Sequence, residues 1–199
     1  MAMPASTPSP DQPRKRWTAR EVHRLIAESP LSTPRYELVD GALLVTPSPS
    51  WRHQRALDVL WREIDRYLSR YPLGRASRSP FDVELEPQSL TQPDLFVVPL
   101  HESRRLQREG LPARELLLAV EVLSRWSGRH DRVEKRPVYQ RHIPEYWTVD
   151  VDARLFERWR PGSDHPELLM ETLEWQPTGA AERFRLDLPW YFAEVCEDG

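Results

Sequence analysis

Two acids stand where acids are costly. "LLLAVEVLS" (residues 116–124) reads as an apolar strand with one carboxylate, Glu121, in its middle. "QPDLFVV" (92–98) opens a second apolar strand with Asp94. A carboxylate in such a run is unfavourable unless something pairs with it or binds it. If the two strands are neighbours, the acids converge, and their repulsion pushes one pKa up. A divalent cation removes that conflict, and hard oxygen donors suit Mg²⁺ or Mn²⁺ better than zinc. A metal held this way keeps several waters, one of which serves as a nucleophile, and it stabilises charge on a phosphoryl oxygen. The third residue is Lys135, in "HDRVEKRPVY". Of 28 Lys and Arg residues only Lys15 and Lys135 are lysine. A compact ammonium near two acids places a point charge on a phosphate.

The elements that position these residues are legible from pattern. "TAREVHRLIAES" begins with Thr18 and has Glu21 three residues on, a capping box, and Pro30 closes the helix. "RYELVDGALLVTPSP" predicts two strands around the Asp40–Gly41 turn. In "PSPSWRHQRALDVLWREIDRYLSRYPLG", Leu57, Leu60, Trp61, Ile64 and Leu68 repeat at helical spacing, with His53 one turn earlier on that face. "RSPFDVELE" alternates like a half-exposed strand, whereas "DLFVVP" and "ELLLAVEVLS" read as central strands covered on both faces. "LHESRRLQREGLPAR" reads as a loop with one helical turn. Asp131 is expected to cap a helix running to His142 and kinked at Pro137. "EYWTVDV", "RLFERWRP" and "ELLMETLEWQP" predict a strand meander, and "FRLDLPWYFAEVC" a strand or turn followed by a short helix. This order predicts an α/β (α+β) fold, a mixed sheet with helices on its faces.

Composition bounds the rest. The chain has 199 residues, enough for one domain, read here as residues 16–199 behind a disordered Pro/Ser/Thr tail over 1–15. One cysteine, Cys196, excludes an internal disulfide and a Cys-rich zinc site and points to a reducing, cytoplasmic setting. No apolar run approaches a bilayer span, and the N-terminus lacks the apolar core of a signal peptide. The net charge is -3, but it is unevenly spread. Residues 52–78 carry seven Arg against Asp58, Glu63 and Asp65, and 125–136 carry four Arg and Lys135 against two acids. From 150 onward there are twelve acids and five Arg. Such asymmetry suits a polyanion on one side of the molecule, or else two solvated helix faces and an acidic tail.

The ordered set "YELVDGALL" (36–44), "PSWRHQRALDVL" (49–60), "QPDLFVV", "VEVLS" (120–124) and "DRVEKRPVYQRHIPEYWTVD" (131–150) resembles the Uma-two family of restriction-endonuclease-like proteins. That family lies within the PD-(D/E)XK nuclease superfamily. The resemblance implies a restriction-endonuclease-like core and metal-dependent hydrolysis of phosphodiesters, most simply in DNA. It implies that Asp94 and Glu121 bind the metal, Mg²⁺ or Mn²⁺. The superfamily's lysine is expected two residues after the second acid, where this chain has Leu123. The resemblance implies that Lys135, on the following helix, takes its place. Glu37 and His53 match two further polar positions of the family, Glu37 as an added carboxylate and His53 as a contact to phosphate or metal-bound water.

The substrate expectation is nucleic acid bound through Arg52, Arg55, Arg62, Arg129 and Arg132, with Arg125 and Arg136 beside them and the acidic C-terminal part turned away. A homodimer is expected from the bulky residues of the late strands, Tyr146, Trp147, Phe156, Trp159 and Trp175, and from the fit of two sites to a duplex. The alternative is an inactive nucleic-acid-binding or protein-interaction module of the same fold. Trp51, Trp61, Trp147 and Trp159 read as core or interface residues.

Overall fold

The computed structural model describes residues 16–29, 34–109, 112–124 and 127–196. The expected tail over 1–15 and Pro30 lie outside the described residues. Helix α1 (Ala19–Glu28) starts with the capping box read from the sequence, Thr18 and Glu21 bonding reciprocally. The hairpin β1 (Arg35–Val39) and β2 (Ala42–Thr46) turns at Asp40 and Gly41, with φ of 48° and 80°. Both central residues are left-handed, which is why this turn takes Asp-Gly. Helix α2 (Trp51–Arg70) follows, capped by Ser50, whose side chain accepts from the His53 backbone N–H.

Strands β3 (Gly74–Arg78), β4 (Val83–Glu86), β5 (Ser89–Thr91) and β6 (Leu95–Pro99) come next, then helix α3 (Leu100–Glu109) and strand β7 (Leu118–Val122). Here α3 replaces the expected loop. Its buried Glu102 accepts hydrogen bonds from Arg105 and the Arg114 backbone, and Leu106 packs on the core, so tertiary contacts stabilise a segment with little apolar periodicity. A π-helical turn (His130–Lys135) runs into α4 (Arg136–His142). Asp131 does not cap it. Pro137 lies inside one continuous helix, directly after the π-helical turn, and the widened ladder of that turn accommodates the missing N–H.

Strands β8 (Tyr146–Asp150), β9 (Leu155–Trp159) and β10 (Glu167–Leu169) form the meander. The expected single strand over "ELLMETLEWQP" is two: β11 (Thr172–Trp175) leaves to pair with β12 (Phe184–Asp187), ahead of α5 (Leu188–Cys196). The main sheet is mixed, ordered β10-β9-β8-β7-β6-β3, with only β7 and β8 parallel. A second sheet, β2-β1-β5-β4, extends the N-terminal hairpin.

Alternation along the central strands divides the core. Leu95 and Val97 of β6, Leu118, Val120 and Val122 of β7, and Trp147 and Val149 of β8 pack on the α2/α5 side. Phe96, Val98, Ala119 and Tyr146 pack on the opposite side with Tyr139 of α4. Val138 of α4 also meets Val39 and Leu44 of the hairpin, which seats the small sheet over that side. The same alternation puts Glu121 on the α4 side, beneath the small sheet. No helix among the described residues is long and apolar enough to cross a membrane.

Tyr146, Trp147, Phe156, Trp159 and Trp175 are all buried within this one chain. They are core residues, so they are not free to form an interface, and the expectation of a dimer is left with the fit of two sites to a duplex as its only ground.

Candidate active site

The antiparallel register of β6 and β7 pairs Leu95 with Val120, and one step further sets Asp94 opposite Glu121. Asp94 is buried and fully engaged. Its Oδ1 accepts from Arg35 at 2.8 Å, and its Oδ2 accepts from the Val122 backbone N–H and from His53 Nε2, each at 3.0 Å. Since the carboxylate accepts, Nε2 carries the histidine proton. Helix α2 presents His53 from its first turn, and β1 presents Arg35.

Behind this pair lies a second cluster. Lys135 is 1 % exposed, and its Nζ sits 2.9 Å from Glu37, 3.0 Å from Glu121 and 3.1 Å from Asp131. Glu121 also accepts from the Tyr139 hydroxyl at 3.2 Å, and Glu37 accepts from the Gln92 backbone N–H at 2.7 Å. Arg35 and Glu37 are two residues apart on β1 and share a face, so one strand supplies a cation to Asp94 and an acid to Lys135. The π-helical turn brings Asp131 and Lys135 inward together.

The structure therefore gathers Asp94, Glu121, Lys135, Glu37 and His53, and adds Arg35 and Asp131, which sequence reasoning missed. Both left signals: Arg35 stands two residues before Glu37 on a strand, and Asp131 four before Lys135 on a helix. Lys135 is not the solvent-facing group that contacts a phosphate from open space. It is enclosed by carboxylates.

The cluster holds four carboxylates, Glu37, Asp94, Glu121 and Asp131, against Arg35 and Lys135. Burial pushes the Glu121 carboxyl well above its ordinary range, and the charges of Asp94, Asp131 and Glu37 push it further, against the pull of Lys135. Burial raises Asp131 as well. Asp94 goes the other way. Burial opposes its ionisation, but the bond and charge of His53, with Arg35 and Lys135, hold it well below the usual carboxylate range. Burial alone would lower Lys135, and the charges of Glu121, Glu37 and Asp131 hold it well above.

Two clefts open onto the Asp94 end. One, of about 490 Å³, runs between Thr46 with the β2–α2 loop (residues 47–50) and the end of β7, with Leu123 and Val151 on its walls. The other, of about 300 Å³, has Arg78, Gln54 and Asp94 on its walls. Arg35, Pro49 and His53 belong to both. Lys135, Glu37, Glu121 and Asp131 line neither.

The family described as "Uma2: Putative restriction endonuclease" matches residues 20–188. The chain belongs to the Uma2 family. A crystal structure of a protein titled a "putative nuclease belonging to DUF820", from Anabaena variabilis ATCC 29413, superposes with a TM-score of 0.71 at 18% identity. The match covers 85% of this chain and 96% of that one, and shows a shared fold. No curated protein matches the chain.

Restriction-endonuclease-like families such as Uma2 generally work with a divalent metal. Among the described residues no three His, Cys, Asp or Glu side chains are arranged as a metal cage. The donor set still fits such an ion. All its acids are hard oxygen donors, and they outnumber the buried cations by two charges when His53 is neutral. Magnesium typically binds through one or two carboxylates and keeps its other sites for water and phosphate.

The arginines are less uniform than their sequence clustering suggested. Arg55 pairs with Glu194 at 3.2 Å, Arg52 with Asp152 at 3.5 Å, and Arg132 with Glu157 at 2.7 Å and Asp150 at 3.2 Å. The acidic C-terminal part thus folds back onto the basic segments instead of facing away. Arg136 stacks on Trp159. Arg62 and Arg129 are exposed, and Arg125 lies outside the described residues.

Proposed function

We propose that this Uma2 protein is a divalent-metal-dependent endonuclease that hydrolyses phosphodiester bonds in nucleic acid, most simply DNA, in a reducing, cytoplasmic setting. The observation that carries the reading is the placement of Asp94 opposite Glu121, with Asp94 on the wall of the smaller cleft and Glu121 behind it, within a cluster that carries two more acids than cations. Asp94 and Glu121 are the residues that would hold Mg²⁺ or Mn²⁺. When bound, such an ion supplies an acidified water and stabilises charge on the phosphoryl group. The protein's own groups do the rest. Lys135 keeps Glu121 oriented and offsets its charge, with Glu37 and Asp131 fixing the ammonium in place. His53 and Arg35 hold Asp94 from the cleft side, where both can reach a phosphate. The alternative, an inactive module of this fold, has no need of the buried excess of acid.

Supercoiled plasmid DNA distinguishes the two. The wild type should nick it in Mg²⁺ or Mn²⁺ and not in chelator. Glu121→Gln should reduce the rate at least about a hundredfold, as loss of a group stabilising transition-state charge does. A Glu121→Gln variant that cuts at the wild-type rate removes Glu121 from the reaction.

The arginine pairs sharpen a second expectation. Arg52 is exposed and held only by a surface pair, and Arg62 bonds a backbone carbonyl, so both can turn to phosphates. Reversing both to Glu should flatten the slope of log affinity against log salt by about 0.9 per lost duplex phosphate contact. Arg132→Glu should leave that slope alone and lower the melting temperature, because its guanidinium ties the π-helical turn to β8 and β9.

A further inference from the structure

We propose that the larger cleft seats one unpaired nucleotide, its flanking phosphates on Arg35 and Arg52, so that the protein engages single strands or unpaired segments in preference to continuous duplex. This deepens the nuclease reading and rests on it.

Size is the first argument. A cleft of about 490 Å³ is in the range that holds one small ligand. A base pair stacked within a duplex cannot enter a recess of that size, and one unpaired base can. The walls are the second argument. Pro47, Pro49, Leu123 and Val151 offer apolar surface to a base or sugar, and Ser48 adds a hydroxyl at the loop. Leu123 is informative. It lies two residues beyond Glu121 and lines the cleft, so the wall next to the acids is apolar.

Charge is the third argument. Arg35 lines both clefts and bonds Asp94, so a strand passing from one cleft to the other has a phosphate at the junction, beside the acids. Arg35 Nε and His53 Nδ1 are buried and, among the described residues, have no hydrogen-bond partner. Both atoms are enclosed behind the walls; what the cleft itself presents is the cationic Arg35 side chain and the His53 ring. The Arg52–Asp152 pair on the wall of the larger cleft is exposed and long, and gives way readily to a phosphate. A duplex must unstack and unpair to use this site, whereas a single strand need not.

Binding can be read without turnover by using Glu121→Gln as the parent and a fluorescent oligonucleotide in an anisotropy titration. The single strand should bind about tenfold or more tightly than a duplex of the same sequence. Adding Leu123→Trp, which fills the cleft, should remove that advantage with the melting temperature retained. Deoxyadenosine 5′-monophosphate should compete with the single strand at concentrations where inorganic phosphate does not, a measurement that stands even if the tryptophan variant misfolds. Equal affinity for the two forms, an unchanged advantage in a folded Leu123→Trp protein, or equal competition by phosphate each overturns the proposal. The nuclease reading fails separately, on absence of metal-dependent cleavage by the wild type. Duplex cleavage without single-strand preference spares that reading and removes this one.

Discussion

Lys135→Ala should destabilise the folded protein by about 3–5 kcal/mol at neutral pH, the cost of leaving buried charge uncompensated. For a domain of this size that corresponds to a melting temperature lower by roughly 6–20 °C. The reason is the count of partners. Lys135 is the shared counter-ion of Glu37, Glu121 and Asp131, all buried, and removing it leaves three carboxylates facing one another. They can escape only by taking up protons. The deficit should therefore shrink as pH is lowered toward the unfolded carboxyl values of about 4. Thermal melts of wild type and variant at several pH values check this. A variant that melts with the wild type at neutral pH rules out Lys135 as the keystone of the cluster. Loss of nuclease activity in this variant would say little about phosphate contact, because the ammonium lines neither cleft and its removal disturbs both acids indirectly.

That shift in the meaning of Lys135 shows what the sequence could carry and what it could not. Glu121 and Asp94 were conspicuous because each interrupts an apolar strand, and strand alternation is a local property. The rarity of lysine in an arginine-rich chain was equally local. What surrounds the ammonium is not local: Glu37 arrives from the hairpin of the small sheet, and Asp131 turns inward because the helix opens with a π-turn instead of an N-cap. Residue type alone gives Asp131 a capping role, and only the tertiary fold shows it buried. Arg35 was hidden for a similar reason, as one arginine among many until the β1–β2 hairpin docks it on Asp94. The charge blocks misled in the opposite direction. Read along the chain they separate into a basic half and an acidic half, but the fold returns Glu194, Asp152 and Glu157 to the basic segments, and local ion pairs replace the predicted separation. The late aromatic residues were correctly seen as bulky and apolar, and burial against one another within the chain accounts for them.

Glu121→Gln should lose activity and gain stability in metal-free buffer, seen as a higher melting temperature, because it relieves the repulsion among the buried carboxylates. The cluster has two more acids than cations, and the substitution removes one of those charges while Lys135 keeps Glu37 and Asp131. The direction of the Glu121 shift agrees: its carboxyl is held well above its ordinary range by burial and by neighbouring acids. A carboxyl raised in the folded state binds its proton there first. Its contribution is therefore full below the unfolded value and is lost as pH rises through the folded one. Asp94, depressed in the folded state, contributes above its unfolded value and loses that contribution as pH falls through the folded one. Between neutrality and about pH 4, wild-type stability should thus rise on acidification through Glu121 and Asp131 before Asp94 reverses the trend. The Glu121→Gln substitution should flatten that rise. Adding Mg²⁺ or Mn²⁺ should raise the melting temperature of the wild type, since an ion that binds only the folded state stabilises it by mass action, and should do little for the variant. The two effects belong together: the acid that costs stability when the cluster is bare is the one that gives the ion its place. A variant less stable than the wild type in chelator, yet equally stabilised by the ion, would contradict both the charge count and the assignment of Glu121 to the metal.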